Sequence, residues 1–288
     1  SVKLQKKKIV NLNLDDKDYH KNKLSISNGA KKQLKAIKLL ELNNSIELKV
    51  LSTKYGISSA VIKGLSDKNL IYITEEATYR SPIINEGECN FSNEIRLNEE
   101  QENIFYEVKH SIDINKHEKY LLHGITGSGK TQIYMKLTEE VINKGQQVII
   151  LVPEISLTTQ ILNRFVETFG NKVAILHSKL SVGERFDQWI RIKNGELPIV
   201  IGARSAVFAP CDNVGLIVLD EEHEGTYKSE INPKYHTTSV ASYITKQNNG
   251  VLLLGSATPS IESYYYAKKN RFRLLELHKR YNEMEMPK

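Results

Sequence analysis

The sequence predicts an α/β chain in two parts, a doubly wound parallel sheet preceded by a small helix-rich module. Three observations carry that expectation. Short, apolar, β-branched runs recur at Tyr120–Leu122, Val148–Val152, Val173–Leu176, Ile199–Ile201, Leu216–Leu219 and Val251–Leu254, with helical stretches between most of them. Runs of this kind suit strands buried on both faces of a parallel sheet. A glycine-rich segment, Gly124 to Thr131, follows the first run, and residues 30–80 have a different texture of helical spacing and excess lysine. In such open sheets ligands bind at the C-terminal ends of the strands.

Length and composition set outer limits. At 288 residues the chain has room for about two domains of the usual ~100–200 residues. With 40% hydrophobic and 26% charged residues its balance is that of a globular protein, which excludes a disordered, collagenous or disulfide-built chain. No apolar run approaches the ~20 residues of a membrane span, and the lysine-rich start lacks the apolar segment of a signal peptide. Cys89 and Cys211 form no C-x-x-C, so no zinc or redox motif is readable and a reducing, cytoplasmic setting is expected. The net charge is +6, yet residues 1–80 hold 16 Lys/Arg against 8 Asp/Glu while the remainder is near neutral. The basic third reads either as a polyanion-binding module or as a solvated lysine surface.

Residues 1–28 alternate apolar and polar side chains too briefly to decide between an edge strand with a linker and the remnant of an upstream domain. No initiating methionine is present, which suits a piece of a longer protein. From Ala30, helical spacing places Leu34, Ile37, Leu40 and Leu42 close to one face, with Ser27 or Asn28 as cap. A second helix near Glu47–Lys54 stops at Gly56, and Ser58 or Ser59 opens a third that turns Val61, Ile62 and Leu65 inward. Leu70–Thr74 followed by Ala77–Arg80 reads as a hairpin. Three short helices and a hairpin over 29–80 make a winged helix-turn-helix, which would present Lys63, Lys68 and Arg80 to nucleic acid; the alternative is a helical unit that docks protein. Residues 81–96, with Pro82 and Gly87, read as a linker to the sheet domain at 97–288.

The glycine-rich segment Gly124-Ile-Thr-Gly-Ser-Gly-Lys130-Thr131 fits G-x-x-x-x-G-K-[ST], between a strand and a helix. Such glycines let backbone N–H groups of Thr126, Gly127, Ser128 and Gly129 surround phosphate oxygens at a helix N-terminus. Lys130 would reach the outer phosphates of ATP and Thr131 would place its hydroxyl on Mg²⁺. Downstream, the strand Leu216–Leu219 delivers Asp220-Glu221-Glu222-His223; Asp220 would hold the Mg²⁺ and Glu221 would orient or deprotonate the attacking water. A third segment, Gly255-Ser256-Ala257-Thr258-Pro259, again follows an apolar strand and can relay the state of the outer phosphate through Ser256, Thr258 and His223. This trio is absent from small-molecule kinases and GTPases and is similar to that of superfamily 2 helicases.

Further stretches narrow the resemblance: Leu151-Val-Pro-Glu-Ile-Ser-Leu-Thr158, Leu176-His-Ser178 and Ile199-Val-Ile-Gly-Ala-Arg-Ser-Ala206. With the three motifs above, they resemble the primosomal protein N′ (PriA) family of bacterial replication-restart helicases over Leu97 to about Arg280. The resemblance implies a RecA-like P-loop NTPase lobe and a 3′→5′ DNA helicase driven by Mg²⁺-dependent ATP hydrolysis. It implies forked and single-stranded DNA, primosome and helicase-loader proteins and single-strand binding protein as partners. Gln101 occupies the place of a glutamine that reads adenine, or is a solvated helix start. Pro153, Glu154 and Thr158, and then Arg204 and Ser205, resemble contacts to the single-strand backbone; Arg204 alternatively pairs with a carboxylate. The run Glu224–His236 resembles an aromatic-rich coupling loop, in which Tyr227 and Tyr235 stack on bases beside Lys228, or pack within the loop. Trp189 and Tyr264–Tyr266 read as core or surface packing. The chain departs from the family at Ala203, where threonine is usual, and at Thr237-Thr238-Ser239, where an arginine and an aspartate are usual. A second motor lobe with its arginine finger, and a zinc-binding cysteine-rich insertion, are not among these 288 residues, so slow turnover by this piece alone is expected. A superfamily 2 RNA helicase or translocase, and a non-enzymatic ATP-gated docking module, are the rival readings.

Overall fold

A computed structural model describes residues 5–27, 29–79, 95–154 and 160–280. The chain divides into two compact units, Ser1–Arg80 and Ser81–Lys288.

The first unit runs β1 (Gln5–Leu12), α1 (Tyr19–Leu24), α2 (Lys31–Asn43), β2 (Ser45–Glu47), α3 (Leu48–Thr53), α4 (Ser59–Ser66) and β3 (Ile71–Thr78). Its antiparallel sheet has the order β2-β1-β3. The helices bury Ile37, Leu40, Leu51, Ile62 and Leu65 against Val10, Leu12 and Ile71 of the sheet. Gly56 supplies φ +66° between α3 and α4, a conformation that costs glycine little.

Two local expectations are corrected. The hairpin expected near Leu70–Arg80 is instead one continuous strand, β3, paired along its length with β1. The segment has no Gly, Pro, Asn or Asp to turn on, and its central acids find lysines across the ladder: Lys6–Glu75 at 2.9 Å and Lys7–Glu76 at 3.3 Å. Residues 1–28 therefore contribute the central strand of this sheet. Leu42 is 82% exposed, one position off the buried stripe of α2. Asn28, Arg80, Cys89 and most of the expected linker lie outside the described residues.

The second unit alternates helix and strand: α5 (Glu99–Asp113), β4 (Glu118–Gly124), α6 (Lys130–Asn143), β5 (Gln147–Leu151), α7 (Gln160–Phe169), β6 (Val173–Leu176) and α8 (Val182–Lys193). It continues with β7 (Ile199–Gly202), β8 (Val214–Asp220), α9 (Thr237–Gln247), β9 (Val251–Ser256), α10 (Ile261–Lys268) and β10 (Arg273–Leu277). The seven strands are all parallel in the order β10-β4-β9-β8-β5-β7-β6. Alternate side chains enter two cores, as a sheet covered on both faces requires. Ile150, Val218 and Leu253 meet α5, α6 and α7 residues such as Val108, Ile133 and Phe165 on one side. Ile149, Ile217 and Leu252 meet Ile192, Ala241 and Ala267 of α8, α9 and α10 on the other. The six expected strands are present. β10 is an addition: an edge strand whose Arg273 and Glu276 interrupt the apolar run that marks the central strands.

Candidate nucleotide and nucleic-acid site

Strand order brings the three motifs together. The glycine-rich loop leaves β4, the acids leave β8, and Ser256 ends β9, which lies between them. His123 is in register with Ser256, and Gly255 with Asp220. At about 4.8 Å between neighbouring strands, all three segments emerge within about 10 Å at one sheet edge.

The loop is shaped by two positive φ angles, +81° at Gly127 and +84° at Gly129, the latter capping α6. A side chain at Gly129 would also strike Gln101 Nε2. Gln101 is wholly buried and so is no solvated helix start. It closes a capping box with Asn98, 2.9 Å in each direction, and its Nε2 donates to the Ser128 carbonyl at 2.9 Å. The Lys130 amine is nearly buried and donates to the Gly124 carbonyl at 2.8 Å. Ser128 Oγ is buried with no hydrogen-bond partner. A loop with an orphaned hydroxyl and a lysine resting on its own carbonyl fits a phosphate group that would engage both. Thr126 and Gly127 are exposed, and Thr131 is half-buried on the first turn of α6.

Asp220 is held from two sides. Tyr134 Oη, one helical turn beyond Lys130, donates to Asp220 Oδ1 at 3.1 Å, while Tyr227 Oη shares its proton between the Asp220 carbonyl at 2.7 Å and the Leu151 carbonyl at 3.0 Å. Burial pushes the Asp220 carboxyl up to about 6; neighbouring Glu221 adds to the rise, and Lys130 and the Tyr134 bond oppose it. Burial and the same carboxylate drive Tyr134 well above the usual tyrosine range. Glu221 follows at φ +48°, an unusual backbone for a side chain with a Cβ, and is half-buried. His223 Nδ1 shares a hydrogen bond with Ser256 Oγ at 2.8 Å and lies 3.6 Å from Glu221 Oε2; Ser256 Oγ accepts the Thr258 N–H at 3.0 Å. His223, Ser256 and Thr258 thus form one chain of contacts from the acids to the third motif.

Two residues beyond those read from sequence join this assembly. Glu222 is buried, and its carboxylate accepts from Ser260 N–H at 2.7 Å, Ser260 Oγ at 3.1 Å and Ser263 Oγ at 2.9 Å, fastening the start of α10. Tyr134 is the other. A tyrosine in an amphipathic helix reads as packing, so no local signal distinguishes it.

The nucleic-acid candidates divide. Tyr227 is corrected: its ring is 1% exposed and its hydroxyl is engaged beneath Asp220, so it cannot stack on a base. Tyr235 is half-buried and edge-on to Phe208 at 5.0 Å, and Phe208, which sequence analysis passed over, is 55% exposed. Arg204 stacks over Tyr235 at 5.8 Å and donates to the carbonyls of Thr226 and Lys228, so the partners of its guanidinium are loop carbonyls. Ser205, Lys228 and Glu154 are exposed, and Pro153 is buried. Thr158 lies outside the described residues. In the first unit Lys63 is exposed and Lys68 half-buried. Trp189 is 43% exposed with Lys193 over its ring at 5.4 Å, and Tyr264–Tyr266 lie on the surface of α10. Among the described residues, no helix is long and apolar enough to cross a membrane, and no group of three or more His, Cys, Asp or Glu is placed to hold a metal ion.

A glycine-rich loop, a strand that ends in acids and a Ser256–Thr258 segment on adjacent strands of one parallel sheet define a helicase-type P-loop fold. Residues 94–261 match the family described as "Type III restriction enzyme, res subunit", and the chain belongs to that family. It is 45% identical over 237 residues to the replication restart protein PriA of Bacillus subtilis (strain 168), covering 82% of this chain and 29% of the relative. The PriA of Synechocystis is 40% identical over 215 residues, 74% of this chain and 25% of that protein. The chain spans about a quarter to a third of the length of the curated relatives it matches. Among solved structures, "Structure of RecG bound to three-way DNA junction" superposes with a TM-score of 0.50 at 24% identity, over 68% of this chain and 25% of that one. That likeness establishes the fold.

Proposed function

We propose that this chain is the nucleotide-binding first lobe of a cytoplasmic, ATP-dependent 3′→5′ DNA helicase that restarts stalled replication forks, preceded by a winged-helix unit. The convergence of Gly124–Thr131, Asp220–His223 and Ser256–Thr258 on β4, β8 and β9 carries the reading. Kinship with replication restart proteins supports the fork as substrate, and helicase loaders, primosome proteins and single-strand binding protein as partners.

Thr126–Thr131 would hold the phosphates, and the Thr131 hydroxyl with Asp220 would hold Mg²⁺. Bound Mg²⁺·ATP supplies the phosphoanhydride bond whose cleavage powers movement. The chain's own groups do the rest. Lys130 exchanges the Gly124 carbonyl for phosphate oxygens, and Glu221 accepts the proton of the attacking water. Tyr134 holds Asp220 Oδ1 and so fixes the carboxylate that would meet Mg²⁺. His223 and Ser256 pass the change at the acids to Thr258 and α10. Arg204, Ser205, Phe208, Tyr235 and Lys228 offer cations, hydroxyl and aromatic edges to a single strand; a stacked base is worth about 1–3 kcal/mol.

The test is ATP hydrolysis by the protein that contains this chain, with forked DNA or RNA as stimulant. Forked DNA should stimulate more than RNA, and Lys130→Ala should abolish hydrolysis. Stimulation by RNA alone, or full hydrolysis by Lys130→Ala, would refute the assignment.

A further inference from the structure

Of the four polar residues that leave β8, Asp220-Glu221-Glu222-His223, Glu222 alone is almost wholly buried, at 5% exposure. Its carboxylate bonds only to the start of α10, accepting from Ser260 N–H, Ser260 Oγ and Ser263 Oγ at 2.7–3.1 Å. Its own N–H donates to the Gly255 carbonyl of β9 at 3.0 Å. We propose that Glu222 is a positioning residue for hydrolysis, which keeps Glu221 and His223 in place by anchoring the acid turn to the junction of β9 and α10. The proposal rests on the nucleotide-site reading above and adds to it a residue that touches neither nucleotide nor metal.

The backbone of the turn shows why an anchor is needed. Glu221 has φ +48°, and a side chain with a Cβ stays in that region only where its surroundings over-determine it. On the strand side the surroundings are firm, because Asp220 is in register with Gly255 and bonded by Tyr134. On the far side the Glu224 N–H reaches the Glu221 carbonyl at 2.9 Å, but that bond lies within the turn and would travel with it. His223 adds one hydrogen bond, from an exposed side chain to Ser256. Glu222 adds four, one through its N–H and three through its carboxylate, all to β9 and the first turn of α10. It is therefore the main fixed point for the side of the turn that carries the water-activating carboxylate.

The charge of Glu222 matters as well as its reach. A buried carboxylate must be compensated, and its donors here are one neutral N–H and two hydroxyls at a helix N-terminus, where the dipole favours an anion. Ser260 Oγ in turn accepts the Ser263 N–H at 3.2 Å, so the acid, both serines and the helix start form one closed network. Ser260 follows Thr258-Pro259 directly in the chain. The same anchor thus sets the spacing between the acid turn and the Ser256–Thr258 segment. An amide in place of the carboxylate removes the charge and one acceptor, and so loosens the network without emptying the space.

The test is steady-state ATP hydrolysis with forked DNA by the protein that contains this chain, alongside binding of a fluorescent ADP analogue. A small displacement of a reacting group slows chemistry without weakening phosphate binding, so Glu222→Gln should lower kcat at least about fivefold and leave KM and the ADP dissociation constant within about twofold. Ser263→Ala removes one bond of the same network and should lower kcat about twofold, a second route should Glu222→Gln fold poorly. Glu222→Gln/Ser263→Ala should lose less than the product of the two single effects. Ile192→Val, a change on the buried face of α8, should lower the melting temperature and leave kcat at the parent value. An unchanged kcat in Glu222→Gln and Ser263→Ala would overturn the role. So would losses that multiply in the double variant, or a fall in kcat for Ile192→Val as large as that for Glu222→Gln. If Lys130→Ala abolishes hydrolysis in that event, the nucleotide-site reading stands and only the positioning role of Glu222 fails.

Discussion

Burial of the Asp220 carboxyl carries a cost in stability. The group sits at about 6 instead of the ordinary 3.8, chiefly because it is buried and secondly because Glu221 adjoins it. A raised acid holds its proton more tightly when folded than when unfolded, so stability falls as pH rises from about 3.8 to about 6 and the cost is complete above that window. Two pH units correspond to about 3 kcal/mol at pH 8, and the same linkage leaves about 1 kcal/mol at pH 4.5. Asp220→Asn removes the titration and keeps the shape, but weakens the Tyr134 bond by about 1 kcal/mol. The expected result is a variant about 2 kcal/mol more stable than the parent at pH 8 and about equal to it at pH 4.5. For a domain of this size the gain appears as about 4–8 °C in melting temperature. Thermal melts of both proteins in EDTA, without nucleotide, at the two pH values provide the measurement. No gain at pH 8, or an equal gain at both pH values, would refute the placement of an ionised, desolvated carboxylate at this edge.

Two more perturbations probe the same assembly. A Cβ at Gly255 would overlap Tyr134 Oη, so Gly255→Ala should cost about 1–3 kcal/mol in urea denaturation. Adding Tyr134→Phe should recover part of that loss, and strictly additive effects would mean the two residues do not meet. Glu222→Ala strands three donors at the start of α10 and should destabilise the chain by about 3 kcal/mol, with Glu222→Gln milder; a neutral Glu222→Ala would remove its fastening role.

Motifs and strands were legible because their chemistry is local. Gly127 and Gly129 announce positive φ angles by residue type, and the run Leu216–Leu219 before Asp220 shows a buried strand ending in acids. The misread features depend on partners remote in sequence. Whether Leu70–Thr78 folds back on itself or pairs with another strand depends on β1, about 60 residues earlier in the chain. Tyr227 and Tyr235 stand eight positions apart in one polar loop, yet one lies beneath Asp220 and the other against exposed Phe208. Gln101 looks like any residue at a helix start until Ser128 is brought against it.

From residue order alone came the glycine-rich loop, the acids that end a strand, the Ser256–Thr258 segment and the parallel sheet that carries them, since each is written in a few adjacent side chains and their periodicity. The fold alone chose the neighbours: Tyr134 on Asp220, Glu222 on α10, and the lysines of β1 on the acids of β3. Those contacts join segments up to 86 residues apart, and their energies come from burial and desolvation, which exist only once the sheet has closed on its helices.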